Sequence, residues 1–193
     1  PENNNDRPMN TLESVRLAIN DMISQFGDDY ADGEAYLEEL DALEAETNKD
    51  ADWEKRFAEF RHKALLANPE LDDLEIVCVR TNRLPGVGDN FMTTDKIPKD
   101  GWDAELGILS DLRSGNPKFT TIYKPENRRP ILKPELHWDG ERILFTSISE
   151  ENKRWAIFEI NVDGTGLKTI SPTDQPDVDF FDACYTPEGK VVA

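Results

Sequence analysis

The chain has 193 residues, 37% apolar and 32% charged, with forty acidic against twenty-two basic side chains and a formal charge of −18. That length suffices for one good core or two small ones. The charge repels phosphate backbones and anionic lipid heads, which excludes nucleic acid and membrane surfaces as partners. No run approaches the ~18 apolar residues of a spanning helix, so membrane insertion is not expected, and the stretch PENNNDRPMN lacks the basic and apolar regions of a signal peptide.

Three helices are predicted first. Asn10 and Glu13 have capping-box spacing, and Leu12, Val15, Ile19, Met22, Ile23 and Phe26 recur at three and four residues until Gly27. A second helix runs from about Gly33 to Thr47 with Tyr36, Leu37, Leu40 and Leu43 on one face, and a third begins near Asp50 and carries Trp53, Phe57, Phe60, Ala64 and Leu65. Asn68-Pro69 ends it. Glu38, Glu39, Asp41, Glu44 and Glu46 form a solvated helix surface. A di-metal bundle needs Glu-x-x-His pairs on two helices, whereas here the pair occurs once, Glu59 and His62. Residues 1–68 are therefore expected to be an acidic helical lead-in, and 69–193 a β region.

From Leu74 the period changes to two. Strands are predicted at Glu75 to Arg80, Glu105 to Asp111, Lys118 to Lys124, Glu135 to Trp138, Arg142 to Ile148, Arg154 to Asn161, Leu167 to Ser171, Asp182 to Thr186 and Lys190 to Ala193. Cys78 and Cys184 fall in such strands and are expected to be buried thiols. No C-x-x-C spacing joins them to a zinc or haem site.

The segment EINVDGTGLKTIS, Glu159 to Ser171, resembles the D-x-D-G-T nucleophile loop of haloacid dehalogenase-type phosphatases and half of a calcium loop. A phosphatase needs an aspartate nucleophile where Asn161 stands, and the calcium loop needs a bidentate Glu where Pro172 stands. Asp163-Gly164 between apolar strands is instead a hairpin turn.

That turn belongs to an internal repeat. The stretch ELGILSDLRSGNPKFTTIY…LHWDGERILF lies over WAIFEINVDGTGLKTIS…ACYTPEGKVVA, strand for strand and turn for turn. Gly140 and Gly189 stand 49 residues apart (189 − 140 = 49), within the period of propeller blades. Four short strands per period predict blades.

HWDGERILFTS, IFEINVDGTGLKTIS and YTPEGKVV resemble the paired signatures of TolB-type, WD40-like propeller blades. ALLANPELDDLEIVCVR, GWDAELGILSDLRSG and DQPDVDFFDACYTPEGKVV, with the acidic lead-in GEAYLEELDALEAE, resemble large exported bacterial proteins whose central region is named for the propeller domain of the hydrazine synthase alpha subunit. The resemblance covers most of the chain from Gly33. It implies a mainly β fold: a partial β-propeller of about two to three four-stranded blades after a helical region, in a fragment of a longer periplasmic or otherwise exported protein. The remaining blades, from the same or another chain, would be its partners. It also implies a non-catalytic scaffold or binding module, with the alternative of a multihaem c-type redox enzyme whose haem sites lie elsewhere, since C-x-x-C-H is absent here.

No catalytic motif and no cofactor site stands out in the segment itself. The candidate for metal chemistry is the loop holding Asp174, Asp177, Asp179 and Asp182, four carboxylates that Ca²⁺ would suit, although Asp beside Pro is also ordinary turn chemistry. His137 has no nucleophile at motif spacing and reads as a packed or rim side chain. The Gly/Pro-rich loop Arg83 to Trp102 is where a propeller face would meet a ligand, but its GVGD lacks the Lys and hydroxyl of a phosphate loop. Lys124, Arg128, Arg129 and Lys133 form a basic cluster that could dock the acidic helices.

Overall fold

In a computed structural model the chain is described over residues 11–82, 97–175 and 177–193. It divides into two compact units: Pro1–Leu74 with Ser110–Lys118, and Glu75–Leu109 with Phe119–Ala193.

The first unit is helical. Helix α1 (Leu12–Phe26) has its cap at Thr11, one residue later than predicted, because Thr11 and Ser14 form the reciprocal box: Thr11 Oγ1 accepts from Ser14 N–H and Ser14 Oγ from Thr11 N–H, both at 3.1 Å. The expected partner Asn10 lies outside the described residues. Helix α2 spans Gly33–Ala45 and α3 spans Ala51–Leu66, the latter capped by Asp50, whose side chain accepts from the Asp52 and Trp53 amides. The apolar stripes converge as their spacing dictates: Val15, Ile19 and Met22 meet Tyr36, Leu40 and Leu43, and Trp53, Phe57, Phe60 and Ala64 close the core. Two buried polar tips are satisfied by backbone, Tyr30 OH on Ala64 O and Trp53 Nε1 on Leu43 O, each at 2.9 Å.

The second unit is built of sheets in which strands consecutive in sequence lie side by side. β1 (Ile76–Thr81), β2 (Ala104–Ser110) and β3 (Lys118–Tyr123) form one sheet; β4 (Leu132–Leu136), β5 (Arg142–Ile148), β6 (Trp155–Asn161) and β7 (Lys168–Thr169) form an antiparallel four-stranded sheet; β8 (Cys184–Tyr185) and β9 (Val191–Val192) form a hairpin. The short edge strand β4 breaks register between Leu132 and Glu135, where Lys133 takes a φ of 51° and Pro134 has no amide hydrogen to pair. β5 is buried from Ile143 through Ile148 on both faces, which is why RILFTSI reads as a near-continuous apolar run. Ile143, Phe145 and Ile148 pack with Trp102, Leu106, Trp155 and Ile160, while Leu144 packs with Ile157, Ala183 and Tyr185 on the other side.

The repeat recurs in the hydrogen bonds. His137 N–H donates to Arg142 O at 2.8 Å and Gly140 N–H to His137 O at 2.9 Å; 49 residues on, Thr186 N–H donates to Lys190 O at 2.8 Å and Gly189 N–H to Thr186 O at 2.9 Å. The first turn is longer by one residue, Glu141. The other repeated turn places Gly115 and Gly164, also 49 apart, at φ values of 72° and 85°.

Most strands of the second unit overlap the predicted segments, but β4 runs Leu132–Leu136 where Glu135 to Trp138 is expected, and among the described residues helix makes up 32% and strand 26%. The described residues are therefore mixed α and antiparallel β, where a mainly β fold is expected. The strands after Asn161 shrink to two residues each, which lowers the β share. Cys78 is half-buried and Cys184 exposed, so the expectation of two buried thiols fails at Cys184. On so short a strand its side chain meets solvent on the face opposite the buried Tyr185.

Candidate functional site

A dense polar constellation lies where β8 meets the four-stranded sheet. Alternation along β6 turns Glu159 inward, where its carboxylate is nearly covered. Lys168, its cross-strand partner on β7, reaches Oε1 at 2.7 Å; Tyr185 OH donates to Oε2 at 2.9 Å; Arg142 Nη1 stands 3.8 Å away. Burial would raise the Glu159 pKa, but these hydrogen bonds and charges outweigh it and leave the group below its usual value. Burial first, and then the bond to Glu159, push the Tyr185 phenol up.

Next to this pair the turn between β4 and β5 folds on itself. Asp139 Oδ1 accepts from Glu141 N–H at 2.8 Å, while Oδ2 accepts from Arg142 Nη2 at 2.8 Å and lies 2.8 Å from His137 Nδ1. The backbone bond from Glu141, reinforced by the contacts with Arg142 and His137, holds the Asp139 carboxyl at about 2. His137 Nδ1 also lies 3.1 Å from the Asp139 amide: protonated it donates to the carboxylate, deprotonated it accepts from the amide. Arg142 Nη2 is 3.2 Å and 3.0 Å from the two ring nitrogens, the geometry of a guanidinium lying over the ring. His137 meets Tyr185 edge-on at 4.4 Å.

Chemically the arrangement is a staple. A general acid or base works best with a pKa near the working pH, whereas the two carboxyls here are held low and the phenol is held high. Each charge also faces a partner already in place.

A groove of about 470 Å³ lies between the loop after β3 and the end of β5, lined by Tyr123, Lys124, Asn127, Arg129, Glu150 and Phe158 among others. Three of its charged side chains are likewise engaged. Arg129 Nη1 donates to Ile148 O at 2.7 Å and its Nη2 pairs with Glu150; Lys124 reaches Glu105 at 2.8 Å and Asp103 at 2.9 Å. Bonds from Lys153, Arg129 and Asn127 hold Glu150 at about 2. The other members of the basic cluster also have partners within this unit: Arg128 donates to Gly101 O at 3.0 Å and Lys133 lies 3.7 Å from Asp182.

The acidic loop is placed as follows. Asp179 Oδ1 accepts from Trp155 N–H at 3.0 Å and stands 2.9 Å from Arg154 Nε. The Asp177 carbonyl accepts from Arg154 at 3.3 Å, and Asp182, at a φ of 57°, donates its amide to Thr146 Oγ1 at 3.1 Å. Asp174 is exposed. Among the described residues no three His, Cys, Asp or Glu side chains gather as a metal-holding group, around these aspartates or around Glu59 and His62. Of the loop Arg83 to Trp102, residues 83–96, with GVGD and Asn90-Phe91, lie outside the described residues. Trp102 is buried and donates its indole hydrogen to Pro98 O at 2.7 Å, so it serves the core.

No family model, no curated protein and no solved structure matches this chain. Among the described residues, no helix is long and apolar enough to cross a membrane.

Sequence reasoning passed over Glu159 and Tyr185. A signal was present: one carboxylate at an inward position of the apolar strand WAIFEIN needs a buried partner. The partner's identity depends on which strand arrives beside it.

Proposed function

We propose that the chain is a run of β-propeller blades with an acidic helical lead-in, a non-catalytic scaffold or protein-binding module within a larger exported bacterial protein. In motif it resembles the propeller region named for the hydrazine synthase alpha subunit. The observation that carries this reading is the recurrence at 49 residues of two glycine turns, one with the same pair of hydrogen bonds, in sheets whose strands follow one another in sequence order. Radial repetition of four-stranded meanders is how propellers protect their sheet edges. The non-catalytic part of the reading draws support from the engaged state of every charge in the polar cluster, which suits a rigid frame better than a reaction centre.

Imaging of the full-length gene product, with its absorption spectrum, tests the proposal. The expected result is a ring of four-stranded sheets around an axis and no Soret band. A ring with a Soret band would favour the multihaem redox alternative, and sheets without radial order would overturn the propeller itself.

A further inference from the structure

The pairing across the four-stranded sheet sets Phe145, Phe158 and Thr169 in one row, since Phe145 stands opposite Phe158 and Phe158 opposite Thr169. Cover runs out along it. Tyr123 leans on the inner ring at 5.7 Å, and Phe145 is 1% exposed; Phe158, stacked on Phe145 at 5.5 Å, is half-buried, and Thr169 is exposed. The groove of about 470 Å³ is lined by this less covered end of the row and by Leu167, which is 42% exposed.

The polar groups of the groove are unevenly spent. Its cations, Lys124 and Arg129, already face Asp103, Glu105 and Glu150. Buried Ser147 gives its hydroxyl hydrogen to Pro130 O at 2.6 Å, and the Asn127 amide nitrogen donates to Glu150 at 2.9 Å. Each of these two side chains retains an oxygen that can accept. The Glu126 and Glu151 carboxylates also line the groove, and among the described residues neither has a hydrogen bond or ion pair. Ionised, they can only accept. The Tyr123, Ser149 and Thr169 hydroxyls can give or take. Acceptors and negative charge are therefore left over beside an aromatic ring.

Ammonium and guanidinium groups are donors without acceptors, and aromatic faces attract them. We propose that this groove binds an organic cation, an ammonium or guanidinium group on a short apolar stem. The stem lies along Phe158 and Leu167, and the head is drawn to Glu126 and Glu151. An anion would meet two unpaired carboxylates and two cations that are already engaged. The source is a free small cation or an arginine or lysine side chain of a protein partner. The groove lies within one unit, so the site stands whether or not the sheets are propeller blades.

The test follows the Phe158 and Leu167 signals of the whole isotope-labelled chain by NMR. Butylguanidinium should shift them saturably, and butylurea, its neutral counterpart, should not. Binding of butylguanidinium alone assigns the groove to a free cation; tighter binding of an acetyl-glycyl-arginyl-glycine amide tripeptide assigns it to an arginine side chain, and both support the site. Glu126→Gln combined with Glu151→Gln should weaken binding about fivefold or more. Glu34→Gln combined with Glu38→Gln removes the same charge from α2 and should leave binding unchanged. Thr169→Lys, at an exposed strand position, should abolish binding with circular dichroism unaltered. No saturable shift, equal binding of butylurea, equal weakening by the two glutamine pairs, or undiminished binding by Thr169→Lys overturns the proposal.

Discussion

Tyr185 on β8 donates its phenolic hydrogen to Glu159 Oε2 on β6 at 2.9 Å, across the boundary between the last hairpin and the four-stranded sheet. The acceptor is an ionised carboxylate shielded from water, so the bond is of the charge-assisted kind. Tyr185→Phe should lower stability by about 2 kcal/mol. Urea unfolding checks this, and a midpoint equal to that of the unaltered chain would mean the bond is idle.

Acid should weaken the second unit over a definite range. Glu105 is held at about 2 by hydrogen bonds from Lys124, Thr121 and Arg80, Glu150 likewise by Lys153, Arg129 and Asn127, and Asp139 by the Glu141 amide and Arg142. Their ordinary values are 4.5 for the glutamates and 3.8 for the aspartate. A folded value below the unfolded one gives stability that is present above the unfolded pKa and fades as pH falls toward the folded one. The Tm should therefore drop between about pH 4.5 and 2, and Glu105→Gln should flatten part of that slope. Identical slopes in the two proteins would contradict the assignment.

Alkali should act on the helical unit as well as on Tyr185 in the second. Burial holds the Tyr30 phenol at about 12 against an ordinary 10.0, and its hydroxyl donates to Ala64 O. The folded state needs the neutral phenol, so its contribution is full below pH 10 and is lost as pH rises toward 12. An ultraviolet titration should show late tyrosines, Tyr185 among them, and Tyr30→Phe should remove one of these late steps together with part of the alkaline loss of helix signal.

The repeated glycines Gly115 and Gly164 should tolerate alanine unequally. Both have positive φ, which costs a side chain about 1 kcal/mol. At Gly164 a new Cβ would also lie 2.9 Å from Ile122 O, whereas at Gly115 its nearest neighbour is 3.8 Å away. Gly164→Ala should be the more damaging by thermal melting; equal Tm losses would show that Ile122 yields freely.

Calcium at about 1 mM, the range of weak extracellular sites, should leave the Tm unchanged. Asp179 already accepts a backbone hydrogen bond and faces Arg154, and Asp182 faces Lys133. A calcium-dependent rise abolished by Asp179→Asn would identify the loop as a metal site.

Much of the fold was legible in advance. Apolar spacing of three and four residues marks α1 to α3, because only that period puts Val15, Ile19 and Met22 on one face. β5 runs Arg142–Ile148, the bounds its sequence predicts, since a run buried on both faces has sharp ends. Boundaries slipped where two local solutions compete, as at the α1 cap, where Thr11 and Ser14 offer the box one step after Asn10 and Glu13.

The sequence by itself determined the change of period near Leu74, the helical and strand segments and the 49-residue repeat, because backbone geometry imposes those periods locally. Tertiary structure alone decided that Glu159 is held by Tyr185, that Trp102 fills a core and that Asp179 is taken by Arg154 and the Trp155 amide. Those outcomes depend on which residues far apart in the chain arrive side by side, and a polar group leaving water takes whichever partner packing supplies.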